Sequence, residues 1–331
     1  MKICIAGGKS GGHLYLGVAV AQQFSESGDA VVFFCSDRSL DESILRPLPW
    51  IFRPFYTKSP SEGLLSWFFV TLQAFFKAKK FLKKDQVDAV IGTGGFVSVP
   101  IIFAAFFLRL PIILLEPNAV PGRATRLLSF LADKICLGFV DAKSESFFAK
   151  RVRFKLEKTG VPIRKAFLNP SSCSKERVFE SLSLETSKIN QKTILVTGGS
   201  QGASRINNVI LELAKKFSDI LWIHIAGKKH ESHIKELYRD KGIYNVKVLA
   251  FHENMSDLML ISDLVISRAG ASSLAEICAL DKSAIIIPLK NSMDDHQYYN
   301  ALACRKEGKR VCFKDSENLL EEIQSFITSL F

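Results

Sequence analysis

The sequence has 331 residues, 47% of them apolar and 23% charged, which is the make-up of a folded globular chain and excludes a disordered one. That length exceeds one ordinary core and points to two domains of about 150 residues each. A net charge of +11, from 44 Lys and Arg against 33 Asp and Glu, favours an anionic partner. The basic residues form neither a recognition helix nor a zinc-finger spacing, so no nucleic-acid partner is expected; an anionic lipid surface or a phosphorylated substrate remains. Seven cysteines (Cys4, Cys35, Cys136, Cys173, Cys278, Cys304 and Cys312) are scattered without a CxxC pair, several inside apolar runs. Such usage belongs to a reducing compartment and not to a disulfide framework. The first residues lack the apolar length of a signal peptide, and the expected location is cytosolic.

In chain order, Lys2–Ala6 reads as a buried strand, Leu14–Ser27 as a helix ended by Gly28, and Ala30–Cys35 as a second strand. Further strands are expected at Val87–Ile91, Pro111–Glu116 and Ile135–Phe139, with an apolar helix at Val97–Leu108. The chain turns at Thr159–Arg164 (TGVPIR), and a polar stretch, Asn169–Lys192, leads into a second series. There strands are expected at Thr193–Thr197, Leu221–Ala226, Val246–Ala250, Leu264–Ser267 and Ala284–Pro288. Helices are expected at Ser204–Phe217, Met255–Ile261, Ser272–Ala279, Gln297–Glu307 and Glu317–Leu330. Alternating strands and helices give an α/β chain with two doubly wound parallel-sheet domains, 1–160 and 161–331, facing a cleft.

One segment breaks the alternation. Gly63–Lys84 (GLLSWFFVTLQAFFKAKKFLKK) is apolar on more than one face and then carries Lys77, Lys79, Lys80, Lys83 and Lys84. Its apolar part, Leu64–Phe76, would make about 20 Å of helix, short of the ~30 Å a transmembrane span needs. A buried core helix is one reading. A helix lying on an anionic bilayer is the favoured one, because the lysine cluster sits beside the apolar run.

Three glycine-rich turns each follow a short β-branched run and precede a helical pattern: Gly7–His13 (GGKSGGH), Gly92–Phe96 (GTGGF) and Gly198–Ala203 (GGSQGA). Such a turn presents backbone N–H groups at the positive end of a helix dipole, where a phosphate is stabilised. Gly8–Ser10 spells GKS, but the glycine a P-loop needs five residues earlier is Ile3. None of the turns is a GxGxxG, although Asp37 after the second strand could hold a ribose, which keeps a dehydrogenase as a weak alternative. In the second half, Ser267–Glu276 (SRAGASSLAE) opens a helix with Ser272 and Ser273 as donors and Glu276 one turn in, suited to ribose hydroxyls. With GGSQGA nearby, this makes a nucleotide-diphosphate pocket at strand carboxyl ends. Asp294–Gln297 (DDHQ) offers polar groups for a sugar, or is an ordinary polar loop.

These motifs, together with PNAVPG at Pro117–Gly122, TGVPIR and DDHQYYNA at Asp294–Ala301, occur in the order seen in the MurG family, which the chain resembles over nearly its whole length. The resemblance implies the GT-B architecture and an inverting transfer of N-acetylglucosamine from UDP-N-acetylglucosamine. The acceptor would be the 4-hydroxyl of muramic acid in the undecaprenyl-linked lipid I, giving lipid II at the cytoplasmic face of the membrane. By the same resemblance Arg164, Ser200, Gln201 and Gly202 face the donor diphosphate, and His252 with Phe251 lies at the uracil. Ala271, Ser272, Ser273, Leu274, Ala275 and Glu276 wrap the phosphates and ribose, and Gln297 holds the sugar. The glycine loops of the first half, with Gly94 and Gly95, hold the acceptor diphosphate, and Ser10, Gly11 and Gly12 approach the donor from across the cleft. Asn118 orients the reacting sugars. His13, at a loop end and able to titrate near working pH, is the candidate base. No cofactor or metal is expected, since helix dipoles and Arg164 can carry the departing charge.

Three features depart from the family pattern. Leu115 stands where a His often precedes the acid, which leaves Glu116 as a second base candidate; Phe96 replaces a Tyr; and the sequence reaches Phe331 where relatives continue through further helices. A related glycosyltransferase acting on diacylglycerol, and a non-catalytic membrane-bound relative, remain as alternatives.

Overall fold

The computed structural model describes residues 1–8, 11–59, 62–139, 145–170, 173–198 and 204–331. The chain divides into two compact units, Met1–Arg164 and Lys165–Phe331. The segment Thr159–Arg164 thus belongs with the first unit, where Val161 packs on Gly138 and the Arg164 guanidinium lies 4.8 Å from the Tyr15 ring centroid.

The first unit is built on seven parallel strands: β1 (Lys2–Gly7), β2 (Ala30–Ser36), β3 (Ile51–Phe55), β4 (Ala89–Gly94), β5 (Ile112–Glu116), β6 (Lys134–Leu137) and β7 (Leu156–Lys158). Their order across the sheet is β3-β2-β1-β4-β5-β6-β7. Alternate residues of one strand serve different cores. Cys4, Val32 and Phe34 join the layer under the helix Leu64–Lys84, whereas Ile3, Ile5, Val31 and Phe33 join the layer under the helix Gly11–Glu26. This two-sided burial is why β1 and β2 read as continuous apolar runs. β3 was not expected from sequence: Pro54 removes a ladder donor, which an edge strand tolerates.

The second unit repeats the plan with β8 (Thr193–Thr197), β9 (Leu221–Ile225), β10 (Val246–Leu249), β11 (Leu264–Arg268), β12 (Ala284–Ile287) and β13 (Arg310–Cys312). All pair in parallel, in the order β10-β9-β8-β11-β12-β13. Trp222, Ile194, Ile266 and Ile285 fill one core layer beneath the helices Ser204–Lys216 and Leu319–Leu330. The helix expected at Gln297–Glu307 is His296–Cys304; it ends before the Lys306–Arg310 bridge that feeds β13.

In both sheets the order reverses beside the first strand. The switch points lie between β1 and β4 in the first unit and between β8 and β11 in the second. The first glycine turn leaves the end of β1 at Gly7. Of the second, Gly92–Gly94 still belong to β4, which runs further than the expected Val87–Ile91, and only Gly95 and Phe96 turn. Gly199–Ala203 of the third lie outside the described residues. The ends of β1, β4 and β8 therefore lie where open α/β sheets place their ligands.

Candidate functional site

In the first unit the two glycine turns pack against one another through missing side chains. A Cβ on Gly7 would lie 1.8 Å from Thr93 Oγ1, and one on Gly95 only 2.9 Å from the Gly8 carbonyl oxygen. Gly94 and Gly95 take φ of +101° and +78°, a region that L side chains adopt only with strain. His13, the third residue of the helix Gly11–Glu26, lays its imidazole over this turn: a Cβ on Gly94 would meet His13 Nε2 at 3.1 Å. The ring is half-buried. Gly11 is buried and Gly12 exposed at the helix start. Ser98, the first residue of the helix Ser98–Phe107, donates from Oγ to the Gly95 carbonyl at 2.7 Å.

Glu116, buried at the carboxyl end of β5, spends its carboxylate on the chain itself. Oε1 accepts from the backbone and side-chain nitrogens of Asn118, both at 3.0 Å, and Oε2 accepts from the Gly122 N–H at 2.8 Å. These bonds fold Pro117–Gly122 into a fixed loop that presents Asn118. Asp41 does a similar job beside the first turn, accepting from the Ser36 N–H at 3.0 Å and Oγ at 2.6 Å, close behind Gly8. Asp41 was not singled out from sequence; an acid five residues beyond a strand gives no local signal.

In the second unit the helix Ala271–Ala279 starts at Gly270, directly after β11. Ala271, Leu274 and Glu276 are buried, and Ser272, Ser273 and Ala275 are half-buried. Gln297 accepts from the Leu289 N–H at 2.9 Å through its side-chain oxygen, which fixes the amide at the start of the helix His296–Cys304. His252 accepts from the Asn254 N–H at 3.1 Å through Nδ1, and partial burial pushes its pKa down. Phe251 is exposed beside it. Ser10, Ser200, Gln201 and Gly202 lie outside the described residues.

Two networks behind this site escaped the sequence reading. Arg268, buried at the end of β11, donates to Asp315 Oδ2 at 2.8 Å and to the carbonyls of Ile287 and Pro288 at 3.3 Å. Asp315 also pairs with Arg205 at 2.7 Å, on the helix that follows the third glycine turn. Strand ends β11 and β12 are thereby tied to that helix start. The second network is uncharged: His224 on β9 bonds Tyr238 Oη at 3.0 Å and Asn207 Oδ1 at 3.1 Å. Desolvation pushes the His224 pKa down to about 4, so the ring is neutral. The only signal available in the sequence was a charged or polar residue inside a buried run.

Away from the glycine turns, the helix Leu64–Lys84 buries a narrow seam of Ala74, Ala78 and Leu82 against the helix Ser98–Phe107 and the sheet. Leu65, Phe68, Phe69, Leu72 and Phe76 point outward at helical spacing, joined by Phe106 and Phe107. Phe75 stacks edge-on with Phe107 at 5.5 Å, so the apolar surface is continuous across both helices. Among the described residues no helix is long and apolar enough to cross a membrane.

Two doubly wound parallel sheets, with glycines or a helix start at the strand ends beside their switch points, define a nucleotide-sugar glycosyltransferase of GT-B architecture. Residues 3–137 match the glycosyltransferase family 28 N-terminal domain and residues 193–331 the family 28 C-terminal domain. The chain belongs to glycosyltransferase family 28 and, within it, to the MurG family. It is 36% identical over 96% of its length to a UDP-N-acetylglucosamine–N-acetylmuramyl-(pentapeptide) pyrophosphoryl-undecaprenol N-acetylglucosamine transferase of Halothermothrix orenii, covering 86% of that protein. A relative of the same name from Carboxydothermus hydrogenoformans is 32% identical over 100% of this chain and 89% of its own. Among solved structures, Acinetobacter baumannii MurG superposes with a TM-score of 0.71 at 25% identity, over 99% of this chain and 90% of that one.

Proposed function

We infer that this chain is an inverting hexosyltransferase that moves N-acetylglucosamine from UDP-N-acetylglucosamine to the 4-hydroxyl of the muramic acid of lipid I, forming lipid II for peptidoglycan synthesis. The names of relatives 30–36% identical over nearly the whole chain support this substrate pair. The observation that carries the mechanism is the His13 imidazole seated on the Gly94–Gly95 turn, beside two backbone cradles at one switch point.

The acceptor diphosphate sits on the amides of the first two turns. His13 takes the proton of the attacking hydroxyl as the new bond to the anomeric carbon forms and the bond to UDP breaks. Because attack and departure occur on opposite faces, one base suffices and the configuration inverts. Glu116 acts through the loop it folds, not as the base, since three N–H donors occupy its oxygens. In the second unit the start of the helix Ala271–Ala279 meets the diphosphate charge, Glu276 accepts from ribose hydroxyls, and Gln297 donates to the sugar. Arg164 adds positive charge for the leaving UDP. The Phe251–His252 stretch flanks the uracil.

The outward stripe of Leu65, Phe68, Phe69, Leu72 and Phe76, with the lysines Lys79, Lys80, Lys83 and Lys84 one to two turns on, holds the enzyme on the anionic cytoplasmic face of the membrane. A polyprenyl-linked acceptor never leaves that surface, so the enzyme must come to it. The test is transfer of labelled N-acetylglucosamine from its UDP donor to lipid I in vesicles, with diacylglycerol vesicles as control. Label in lipid II alone supports the reading; label in diacylglycerol, or in neither, overturns it.

A further inference from the structure

Cys278 and Cys304 are 26 positions apart in sequence, yet their Sγ atoms lie 2.6 Å apart. Cys278 sits two residues beyond Glu276 near the end of the helix Ala271–Ala279. Cys304 closes the helix His296–Cys304, which carries Gln297 near its start. These two helices pack directly on each other. Cys304 is buried and Cys278 half-buried, so of the two residues Cys278 is the nearer to solvent. Arg310, whose Nε donates to the Cys304 carbonyl at 3.0 Å, lies beside the pair and is itself ion-paired to Asp281 at 3.0 Å.

The other cysteines differ in kind. Cys4, Cys35, Cys136, Cys173 and Cys312 all have thiols pushed up by burial, which keeps them protonated and inert. Cys278 moves the opposite way: the hydrogen bond from the Cys304 thiol comes first among the causes, with Arg310 adding to it. A covalent bridge needs a sulfur separation of about 2.05 Å, so closure asks for a shift of about half an ångström.

We propose that Cys278 and Cys304 are a reversible dithiol–disulfide site that locks together the two helices bearing Glu276 and Gln297. The oxidant is a low-molecular-weight disulfide of the glutathione class. The Cys278 thiolate attacks one sulfur of that disulfide, forming a mixed disulfide and releasing one thiolate, which takes up the proton that Cys278 lost. Cys304 then gives its proton to solvent and attacks Cys278 Sγ, expelling the second thiolate, which is protonated in turn. The protein loses two protons and two electrons, and the reagent takes them up and leaves as two thiols. In a reducing compartment such a bridge is transient, as expected of a sensor and not of a structural staple. Only the consequence for catalysis rests on the donor reading: locked helices cannot adjust around the nucleotide, and the KM for UDP-N-acetylglucosamine rises about five-fold.

The experiment equilibrates the full-length protein in glutathione redox buffers, traps free thiols by alkylation and reads intact mass and cross-linked peptides. Wild type is expected to lose two hydrogens, retain no glutathione and yield a peptide joining Cys278 to Cys304, reversibly with dithiothreitol. Cys304→Ser should keep one glutathione on Cys278, and Cys278→Ser should keep none on Cys304. Failure of wild type to bridge, first oxidation of another cysteine pair, or an unmodified Cys278 in Cys304→Ser overturns the proposal. A bridge with unchanged donor KM overturns the regulatory part. Absence of any sugar transfer by reduced wild type would instead count against the donor reading and leave the mass result standing.

Discussion

The two units share a sheet topology but shape their switch points by opposite means. The first relies on missing side chains: Gly7, Gly94 and Gly95 let β1, β4 and their turns approach until no Cβ fits, and His13 fills the space over them. The second relies on buried polar side chains, Arg268 with Asp315 and His224 with Asn207 and Tyr238, which pin strand ends to the helix start behind its cradle. Their outer surfaces differ as well. The first unit gathers its exposed Phe68, Phe69, Phe76, Phe106 and Phe107 on two packed helices, whereas the exposed Tyr244, Phe251 and Phe331 of the second follow different elements. On the function proposed above, one framework serves a ligand anchored in lipid and the other a soluble nucleotide. Close backbone approach suits a diphosphate that slides in along a membrane, and a braced pocket suits a donor held by many small contacts.

The largest effect is expected from His13→Ala, which should lower kcat by about 10²–10⁴-fold while leaving the donor KM near wild type. Steady-state kinetics with both substrates varied would show it. Turnover near wild type would remove His13 from the base role and leave the first unit as a binding platform only.

Breaking the brace in the second unit comes next. Arg268→Ala strands Asp315 with a single partner and should cost about 3 kcal/mol in denaturant unfolding. The loss should confine itself to the second unit, leaving hydrogen-exchange protection of β1 and β4 unchanged. Equal loss in both units would break the comparison.

The pH dependence tests the other network. Burial holds His224 neutral with its pKa at about 4, whereas the unfolded chain binds a proton near pH 6.5. Stability from this group is therefore whole above pH 6.5 and declines as pH falls toward 4, by roughly 3 kcal/mol. Unfolding midpoints at pH 7 and pH 5 should differ more in wild type than in His224→Gln. An equal slope in the variant would assign the loss elsewhere.

A smaller change is expected at the outer face. Lys83→Gln with Lys84→Gln should weaken binding to anionic vesicles about thirty-fold, at about 1 kcal/mol per lysine, without altering UDP affinity. Vesicle sedimentation at two salt concentrations measures it. Unchanged binding would move membrane contact to another surface, with Phe130 and Phe154 the next exposed aromatics, each beside a basic side chain.

Much of this was legible in the sequence, for a physical reason: a strand buried on both faces reads as a β-branched run, and a glycine turn ends it. β1, β4 and β8 with their turns could be placed from that alone, as could the helix opening at Ala271. The strands that escaped, β3, β7 and β13, are short and lie at or beside sheet edges, with Pro54, Lys158 and Arg310 interrupting the apolar pattern. The bracing residues escaped because their partners are distant. Arg268 meets Asp315 across 47 positions, and Cys278 meets Cys304 across 26, with nothing local to mark either pair. Glu116 was visible as an acid at a strand end, but its three N–H partners could come only from the folded loop.

The division of labour is tested most directly by titration calorimetry of UDP binding to full-length His13→Ala and Glu276→Ala. The account predicts UDP affinity within about two-fold of wild type for His13→Ala and about ten-fold weaker for Glu276→Ala, the loss of a carboxylate that accepts from ribose. Weakened UDP binding in His13→Ala, with Glu276→Ala unaffected, would contradict it.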